Sequence, residues 1–198
     1  MSRAFVFPGQ GSQAVGMGRE LAEAFQVARE VFQEVDEALG QNLSRLMFEG
    51  PEADLVLTEN AQPALMAVSM AVMRVLEKDG GIDLATTAGV VAGHSLGEYS
   101  ALAAARALSL SDTARLLRIR GLAMQRAVPV GEGAMAALLG ADIDLAREIA
   151  AAAAQGDVCE AANDNAPGQV VVSGAKAAVE RAIAIAAADR VLMLENAV

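Results

Sequence analysis

The feature that most constrains this chain is a Gly-x-Ser-x-Gly motif centred on Ser95, between an apolar β-prone run at 88–92 and a helix-forming run at 98–108. A strand, a tight turn and a helix in this order form the context that a nucleophile elbow requires. Gly93 and Gly97 suit such a turn, because a Cβ at either position would collide with the crossing strand or helix. We expect Ser95 at the helix N-terminus, where unpaired N–H groups and a partial positive charge can stabilise an oxyanion. The alternative is an ordinary strand-to-helix turn without chemistry.

Composition and charge exclude several classes of protein. The 198 residues suffice for one domain with a real core, or one and a half, and a hydrophobic content of 54% with few aromatic residues is typical of helices packed on a sheet. No apolar run reaches the ~18 residues of a membrane span, and the N-terminus shows no signal-peptide core. The single Cys159 excludes an internal disulfide, so we expect a cytoplasmic protein. A net charge of −10 disfavours a nucleic-acid partner, and the lack of a Cys/His cluster argues against a zinc site.

The first part of the chain predicts one strand and two long helices before the elbow. Residues 4–7 form a short strand that leads into the glycine-containing loop 8–13, where backbone can approach a ligand closely. Residues 42–60 are predicted to be irregular, and Pro63 is predicted in the first turn of a buried helix ending near residue 78. Before this irregular segment, one helix is predicted, with Gly40 as its C-terminal cap. Its apolar face recurs at steps of four and three: Leu21, Phe25, Ala28, Phe32, Val35 and Leu39.

Arginine is concentrated in the segment that follows the elbow. Ser109 and Asp112 predict a helix start, and the helix is expected to run to about Ala127. Residues 106–126 contain one acidic residue, Asp112, but five of the 15 basic residues of the chain: Arg106, Arg115, Arg118, Arg120 and Arg126. The pattern indicates either a solvated helix face or an anion site, since arginine can hold a carboxylate through two hydrogen bonds.

The remainder of the chain predicts a second, smaller subdomain. The predicted elements are a strand at 134–139, a helix at 143–154, a strand at 158–162, a loop at 163–168, a strand at 169–173, a helix at 175–188 and a strand at 191–194. This βαββαβ order is that of a ferredoxin-like unit. Pro129, Gly131 and Gly133 mark a boundary near Val130, which gives a large α/β subdomain at 1–130 and a small one at 131–198.

Four of these stretches together resemble the malonyl-CoA:acyl carrier protein transacylases, a family that includes the acyltransferase domains of fatty acid and polyketide synthases. The resemblance extends from residue 4 to about residue 188. It implies an α/β-hydrolase-like large subdomain with a ferredoxin-like insert, in agreement with the element order. The stretches are Phe7-Pro8-Gly9-Gln10-Gly11-Ser12-Gln13, Gly93-His94-Ser95-Leu96-Gly97-Glu98-Tyr99, Arg120-Gly121 and Asn165-Ala166-Pro167-Gly168-Gln169-Val170-Val171-Val172-Ser173-Gly174.

The resemblance also implies a role for individual residues. Ser95 is similar to the nucleophile that takes the malonyl group from coenzyme A as an ester, in a cytoplasmic fatty acid synthesis pathway. Gln10 and Leu96 correspond to the backbone N–H donors of the oxyanion hole, and Arg120 to the partner of the malonyl carboxylate. The implied partners are malonyl-CoA as substrate and acyl carrier protein as acceptor; no cofactor and no metal are implied. Acyl transfer does develop an oxyanion, and a buried substrate carboxylate needs a fixed cation.

The sequence departs from the family pattern in its histidine content. Family members pair the serine with a histidine in a Pro-Phe-His-like motif after the insert, whereas the only histidine among these 198 residues is His94, inside the elbow motif. His94 is therefore a candidate either for a structural role near the pocket or for a replacement base. We expect a C-terminally shortened transacylase with an incomplete large subdomain. The alternatives are a non-catalytic protein that binds acyl-CoA or carrier protein, and a plain serine hydrolase.

Overall fold

The computed structural model describes residues 3–129 and 131–188 and the backbone of residues 192–197, and the chain divides into two units, Met1–Gln125 and Arg126–Val198. Each unit has its own hydrophobic core, and each combines helices with a sheet. The α/β class predicted from the sequence is therefore confirmed. The predicted boundary residue Val130 lies outside the described residues.

The described part of the first unit is built on two parallel strands and eight helices. β1 (Arg3–Phe7) pairs with β2 (Ala88–Gly93), with Phe5 opposite Val91 and Phe7 opposite Gly93. The helices in chain order are α1 (Arg19–Ala24), α2 (Gln26–Leu39), α3 (Leu43–Glu49), α4 (Glu52–Leu55), α5 (Thr58–Lys78), α6 (Leu84–Thr87), α7 (Leu96–Ala104) and α8 (Leu110–Ala127). Together β1, β2, α5, α7 and α8 position the candidate site.

The predicted single helix over residues 21–39 is wrong in one respect, because it is two helices. Phe25 has an extended backbone, with φ −127° and ψ 124°, between α1 and α2. The apolar period continues through this break because Leu21 and Phe25 both pack against the core, so tertiary packing rather than a continuous helix satisfies the pattern. The predicted cap is confirmed: Gly40 lies in the left-handed region and its N–H reaches the carbonyls that end α2.

The prediction of an irregular segment at 42–60 is wrong, because it contains α3, α4 and the first turn of α5. Asn42 supplies the missed signal: its side chain accepts a hydrogen bond from the Arg45 N–H at 3.1 Å, which caps α3. Helix α5 also begins at Thr58 rather than at Pro63, so the proline lies inside the helix. Pro63 has no N–H for the Glu59 carbonyl, and this carbonyl becomes available to a side chain from another helix.

The second unit contains a four-stranded antiparallel sheet in the order β4-β5-β3-β6. Buried residues alternate along β3 and β5, including Ala136, Leu138 and Val172, and form one core with both helices. β4 extends through most of the loop predicted at 163–168, because residues 163, 164 and 166 pair with β5 and leave a two-residue turn. The elements are β3 (Gly133–Leu139), α9 (Ile143–Ala154), β4 (Cys159–Ala166), β5 (Gln169–Ala175), α10 (Lys176–Ala188) and β6 (Leu192–Ala197); Val191, predicted to start the last strand, lies outside the described residues.

A membrane span was not expected from the sequence. Among the helices of residues 3–129 and 131–188, none is both long enough and apolar enough to cross a bilayer.

Candidate active site

Ser95 lies in the turn between β2 and α7 with a strained backbone. Its φ is 54° and its ψ is −111°, a combination that L-residues other than glycine rarely adopt. Such strain is kept where the surrounding structure holds it and is common at functional sites. The side chain is half-buried and lies at the N-terminus of α7. The local geometry is therefore that of a nucleophile elbow.

Two glycines allow the strand, the turn and the helix to meet. A Cβ on Gly93 would overlap the backbone of Gly97, at the start of α7. A Cβ on Gly97 would overlap the Phe7 carbonyl oxygen and lie 2.8 Å from that of Pro8. The end of β1 and the loop after it are thus in contact with the first turn of α7, as the motif predicted.

Arg120 reaches the elbow from α8. Its Nη2 donates a hydrogen bond to Ser95 Oγ at 2.9 Å, and its Nη1 donates to Gln62 Oε1 at 2.8 Å. The guanidinium is half-buried and is held at both terminal nitrogens. A fixed cation beside a strained serine can bind a negatively charged group of a molecule that reacts at that serine.

Gln62 is a site residue that the sequence reasoning missed. It is fully buried in α5, and its Nε2 lies 3.3 Å from Met124 Sδ in α8. The available signal was an amide side chain inside an apolar helical run, since a buried polar group must find hydrogen-bond partners. Its partner Arg120 is 58 positions away in the sequence, which only the fold could reveal.

The first turn of α5 is in close contact with α8. A Cβ on Gly121 would lie 2.5 Å from Glu59 Cα, so the two backbones approach as closely as a glycine permits. The Glu59 N–H donates to Gln125 Oε1 at 3.2 Å, and Arg118 Nη1 lies 3.5 Å from the Glu59 carbonyl that Pro63 leaves without an N–H donor. Both backbone polar groups of Glu59 therefore contact side chains of α8.

The arginines after the elbow fall into two groups. Arg118 and Arg120 point inward, where Arg118 Nη1 donates to Asn60 Oδ1 at 2.8 Å. The side chains of Arg115 and Arg106 are exposed and form ion pairs with Asp112 and Glu77 respectively; Arg126 is also exposed. The solvated-face interpretation thus describes the three exposed arginines, and the anion site stays a prediction.

The other predicted site residues border the elbow. Leu96 is the first residue of α7 and is buried, and its N–H is one of the first-turn donors that have no acceptor within the helix. Gln10 is exposed in the loop after β1, with Nε2 at 3.5 Å from Thr58 Oγ1. The His94 N–H donates to the Phe7 carbonyl at 3.2 Å, and its ring lies against Gly9, where a Cβ would be 2.7 Å from Nδ1.

In residues 3–129 and 131–188, no three His, Cys, Asp or Glu side chains are grouped as metal ligands.

Comparison with known proteins identifies similar chains. A model of the acyl transferase domain matches residues 4–198. The malonyl CoA-acyl carrier protein transacylase of Bacillus subtilis is 47% identical over 196 residues, covering 97% of this chain and 60% of that protein. The transacylase of the same name from Escherichia coli K12 is 47% identical over 90% of this chain and 57% of its own length. This chain thus spans about 60% of the length of these curated relatives.

Solved structures show the same correspondence in three dimensions. The acyl-carrier-protein-S-malonyltransferase of Bartonella henselae superposes with a TM-score of 0.92 at 56% identity, covering 100% of this chain and 63% of that one. A malonyl-transacylase solved in complex with a type II PKS acyl-carrier protein gives a TM-score of 0.90 at 43% identity, again covering 100% of this chain and 63% of that one.

Proposed function

The chain belongs to the acyl transferase domain family, and on that premise we propose that it transfers a malonyl group from coenzyme A to the phosphopantetheine thiol of an acyl carrier protein. The names of the relatives and of the solved complex support this substrate and this acceptor. The observation that carries the proposal is the 2.9 Å contact between Arg120 Nη2 and Ser95 Oγ. This contact supports the proposal because a cation that can bind a carboxylate lies beside a hydroxyl that can form an ester.

The reaction proceeds through an ester of Ser95. Ser95 Oγ attacks the thioester carbonyl of malonyl-CoA, the carbon–sulfur bond breaks, and coenzyme A leaves as the thiol with the proton that Oγ has lost. The carrier thiol then attacks the ester, and Ser95 regains its proton. His94 is proposed to support the loop at Gly9 rather than to accept this proton, because its ring packs on that loop.

Backbone N–H groups stabilise the oxyanion of both steps. We propose the N–H of Leu96, at the start of α7, and that of Gln10, in the loop after β1. The contact of Gly97 with the Phe7 and Pro8 carbonyls brings this loop against the helix that carries Leu96. Removing one such donor typically lowers the rate by about 10²–10³-fold.

Arg120 selects the acyl group. A carboxylate bound by guanidinium forms hydrogen bonds about twice as strong as those between neutral groups. A serine hydrolase for neutral esters has no use for a half-buried arginine held 2.9 Å from its nucleophile, which argues against that alternative.

We also propose a fold type for each of the two subdomains. Residues 1–130 are proposed as the α/β-hydrolase-like large subdomain with the elbow, and residues 131–198 as the ferredoxin-like small subdomain. The parallel pairing of β1 with β2 supports the first assignment, and the strand order β4-β5-β3-β6 supports the second.

Mass spectrometry of the intact protein tests the proposal. After incubation with malonyl-CoA, the chain is expected to carry one malonyl adduct, which holo acyl carrier protein then removes. Ser95→Ala is expected to abolish the adduct, whereas the control Ser111→Ala, at a serine that contacts Glu34 instead, retains it. An adduct that persists in Ser95→Ala, or an unmodified native chain, would overturn the proposal.

A further inference from the structure

We propose that Gln62 is a positioning residue that holds Arg120 toward Ser95 while leaving its positive charge available, and that it thereby determines the preference for carboxylated over neutral acyl groups. The inference rests on the malonyl transfer proposed above, and it names the residue that makes Arg120 selective.

The orientation of the Gln62 amide is fixed by its two partners. A guanidinium has donors only, so the Gln62 oxygen must face Arg120 Nη1, at 2.8 Å. The amide nitrogen then faces Met124 Sδ, at 3.3 Å, which is a weak acceptor. Because Gln62 is fully buried, no water competes for either position, and the guanidinium rests against a rigid acceptor.

The neutrality of Gln62 determines what Arg120 can bind. The amide accepts a hydrogen bond but carries no charge, and in the described part of the chain no carboxylate forms an ion pair with Arg120. The charge of Arg120 is therefore left for a ligand. A carboxylate in place of the Gln62 amide would have nearly the same shape but would form a buried ion pair with Arg120, in competition with a substrate carboxylate.

A second amide–arginine pair lies beside the first one. Asn60 Oδ1 accepts from Arg118 Nη1 at 2.8 Å, two residues before Gln62 on α5 and two before Arg120 on α8. Asn60 also donates to the Asp54 carbonyl at 2.8 Å and is nearly fully buried. Neither Asn60 nor Arg118 forms a hydrogen bond with Ser95, so Asn60→Asp is a matched control: the same amide-to-carboxylate change against the same kind of partner.

Binding and loading together test the inference. Dissociation constants for malonyl-CoA and acetyl-CoA are measured in the Ser95→Ala background, where no ester can form, and initial rates of adduct formation are measured with Ser95 present. The malonyl-to-acetyl ratio is a ratio of affinities in the first assay and of initial rates in the second. Gln62→Glu is expected to reduce this ratio by about ten-fold or more in both assays, with the affinity and rate for acetyl-CoA changed less than two-fold. Asn60→Asp is expected to leave the ratio unchanged.

Non-additive effects of Gln62→Glu and Arg120→Ala distinguish a positioning role from a general loss of structure. Because Gln62 acts through Arg120, Gln62→Glu is expected to leave the ratio unaltered in an Arg120→Ala background. Met124→Leu keeps the volume of a side chain that is 41% exposed but removes the sulfur acceptor, and it is expected to lower the ratio by a smaller factor in a folded protein. This variant decides the matter if Gln62→Glu does not fold.

Each outcome identifies which statement fails. A native chain that binds malonyl-CoA selectively but forms no adduct would refute the transfer reaction and leave the role of Gln62 standing. Three results would overturn the inference. The malonyl-to-acetyl ratio could stay unchanged in both Gln62→Glu and Met124→Leu, it could fall equally in Asn60→Asp, or it could still fall on Gln62→Glu when Arg120 is absent. Equal affinity of the native chain for both thioesters would overturn the inference, whereas the transfer reaction would stand if the malonyl adduct still forms on Ser95.

Discussion

Replacing Gly121 with alanine tests whether the contact between α8 and α5 places Arg120. The added Cβ would lie 2.5 Å from Glu59 Cα and 2.8 Å from both the Glu59 nitrogen and the Thr58 carbonyl oxygen. Since ordinary carbon contacts begin near 3.4 Å, α8 must move away from α5 by nearly 1 Å. All three neighbours are backbone atoms, so no side chain can rotate away to relieve the overlap.

Two opposing effects set the change in stability. Alanine favours a helix interior over glycine by about 1 kcal/mol, which would stabilise α8. Overpacking typically costs about 1–3 kcal/mol. We therefore expect a net loss of about 1 kcal/mol in the free energy of unfolding.

The effect on loading is expected to be larger than the effect on stability. A shift of nearly 1 Å would stretch the bonds of Arg120 to Gln62 and Ser95, now 2.8 and 2.9 Å, beyond hydrogen-bonding distance. Because Arg120 is proposed to bind the acyl carboxylate, a misplacement of this size is expected to cost about 10²-fold in the loading rate.

Urea denaturation and initial rates of malonyl adduct formation measure the two effects. Ala123→Gly, at an exposed position two residues later on α8, is the control: it is expected to lose about 1 kcal/mol through helix propensity alone and to keep the native loading rate. A Gly121→Ala protein that is more stable than the native chain and loads malonyl at the native rate would refute the argument, because α8 would then accommodate the Cβ without moving.

Three further predictions concern the arginine, the elbow and the cysteine. Arg120→Ala is expected to slow malonyl loading by about ten-fold or more while leaving acetyl loading nearly unchanged, because only the first acyl group carries a carboxylate; an equal loss for both would contradict the role of the cation. Gly97→Ala is expected to destabilise the chain by about 2 kcal/mol or more in urea denaturation, because its Cβ would overlap the Phe7 carbonyl oxygen, and a native midpoint would disprove this steric role. Burial raises the pKa of the Cys159 thiol, an effect that nearby Arg181 partly opposes. Less thiolate is therefore present at pH 8, and Ellman's reagent should label the native chain more slowly than the urea-unfolded chain. Equal labelling rates in the two states would contradict the burial of this thiol.

Local sequence signals predicted those parts of the fold that are held by neighbours in the chain. Helix α9 has the predicted bounds, and the Ser109 hydroxyl accepts the Asp112 N–H at 3.0 Å at the predicted start of α8. The elbow belongs to this group, since Gly93, Ser95 and Gly97 are within five residues and their steric requirement is local. In these places the capping residue, the apolar period and the turn glycine all favour the same structure.

Other elements were decided by packing between distant segments. Phe25 breaks a helix that periodicity alone would continue, and Pro63 lies inside a helix that it would ordinarily begin. The proline inside α5 is tolerated because the helix is almost fully buried around Pro63 and because Arg118, on α8, approaches the Glu59 carbonyl. The sequence around the proline identifies the Glu59 carbonyl but not Arg118, which comes from a distant helix.

For the candidate site, the sequence by itself determined the serine and its turn, whereas the tertiary structure decided what surrounds the serine. Ser95 and Arg120 could each be named from their motifs, but the 2.9 Å bond between them exists because Gly121 lets α8 rest on α5. Gln62 carries no motif at all, and the role proposed for it rests on its burial against Arg120, 58 residues later. The physical reason is that hydrogen bonds within a turn depend on adjacent residues, whereas the partners of a buried polar group depend on which helices pack together.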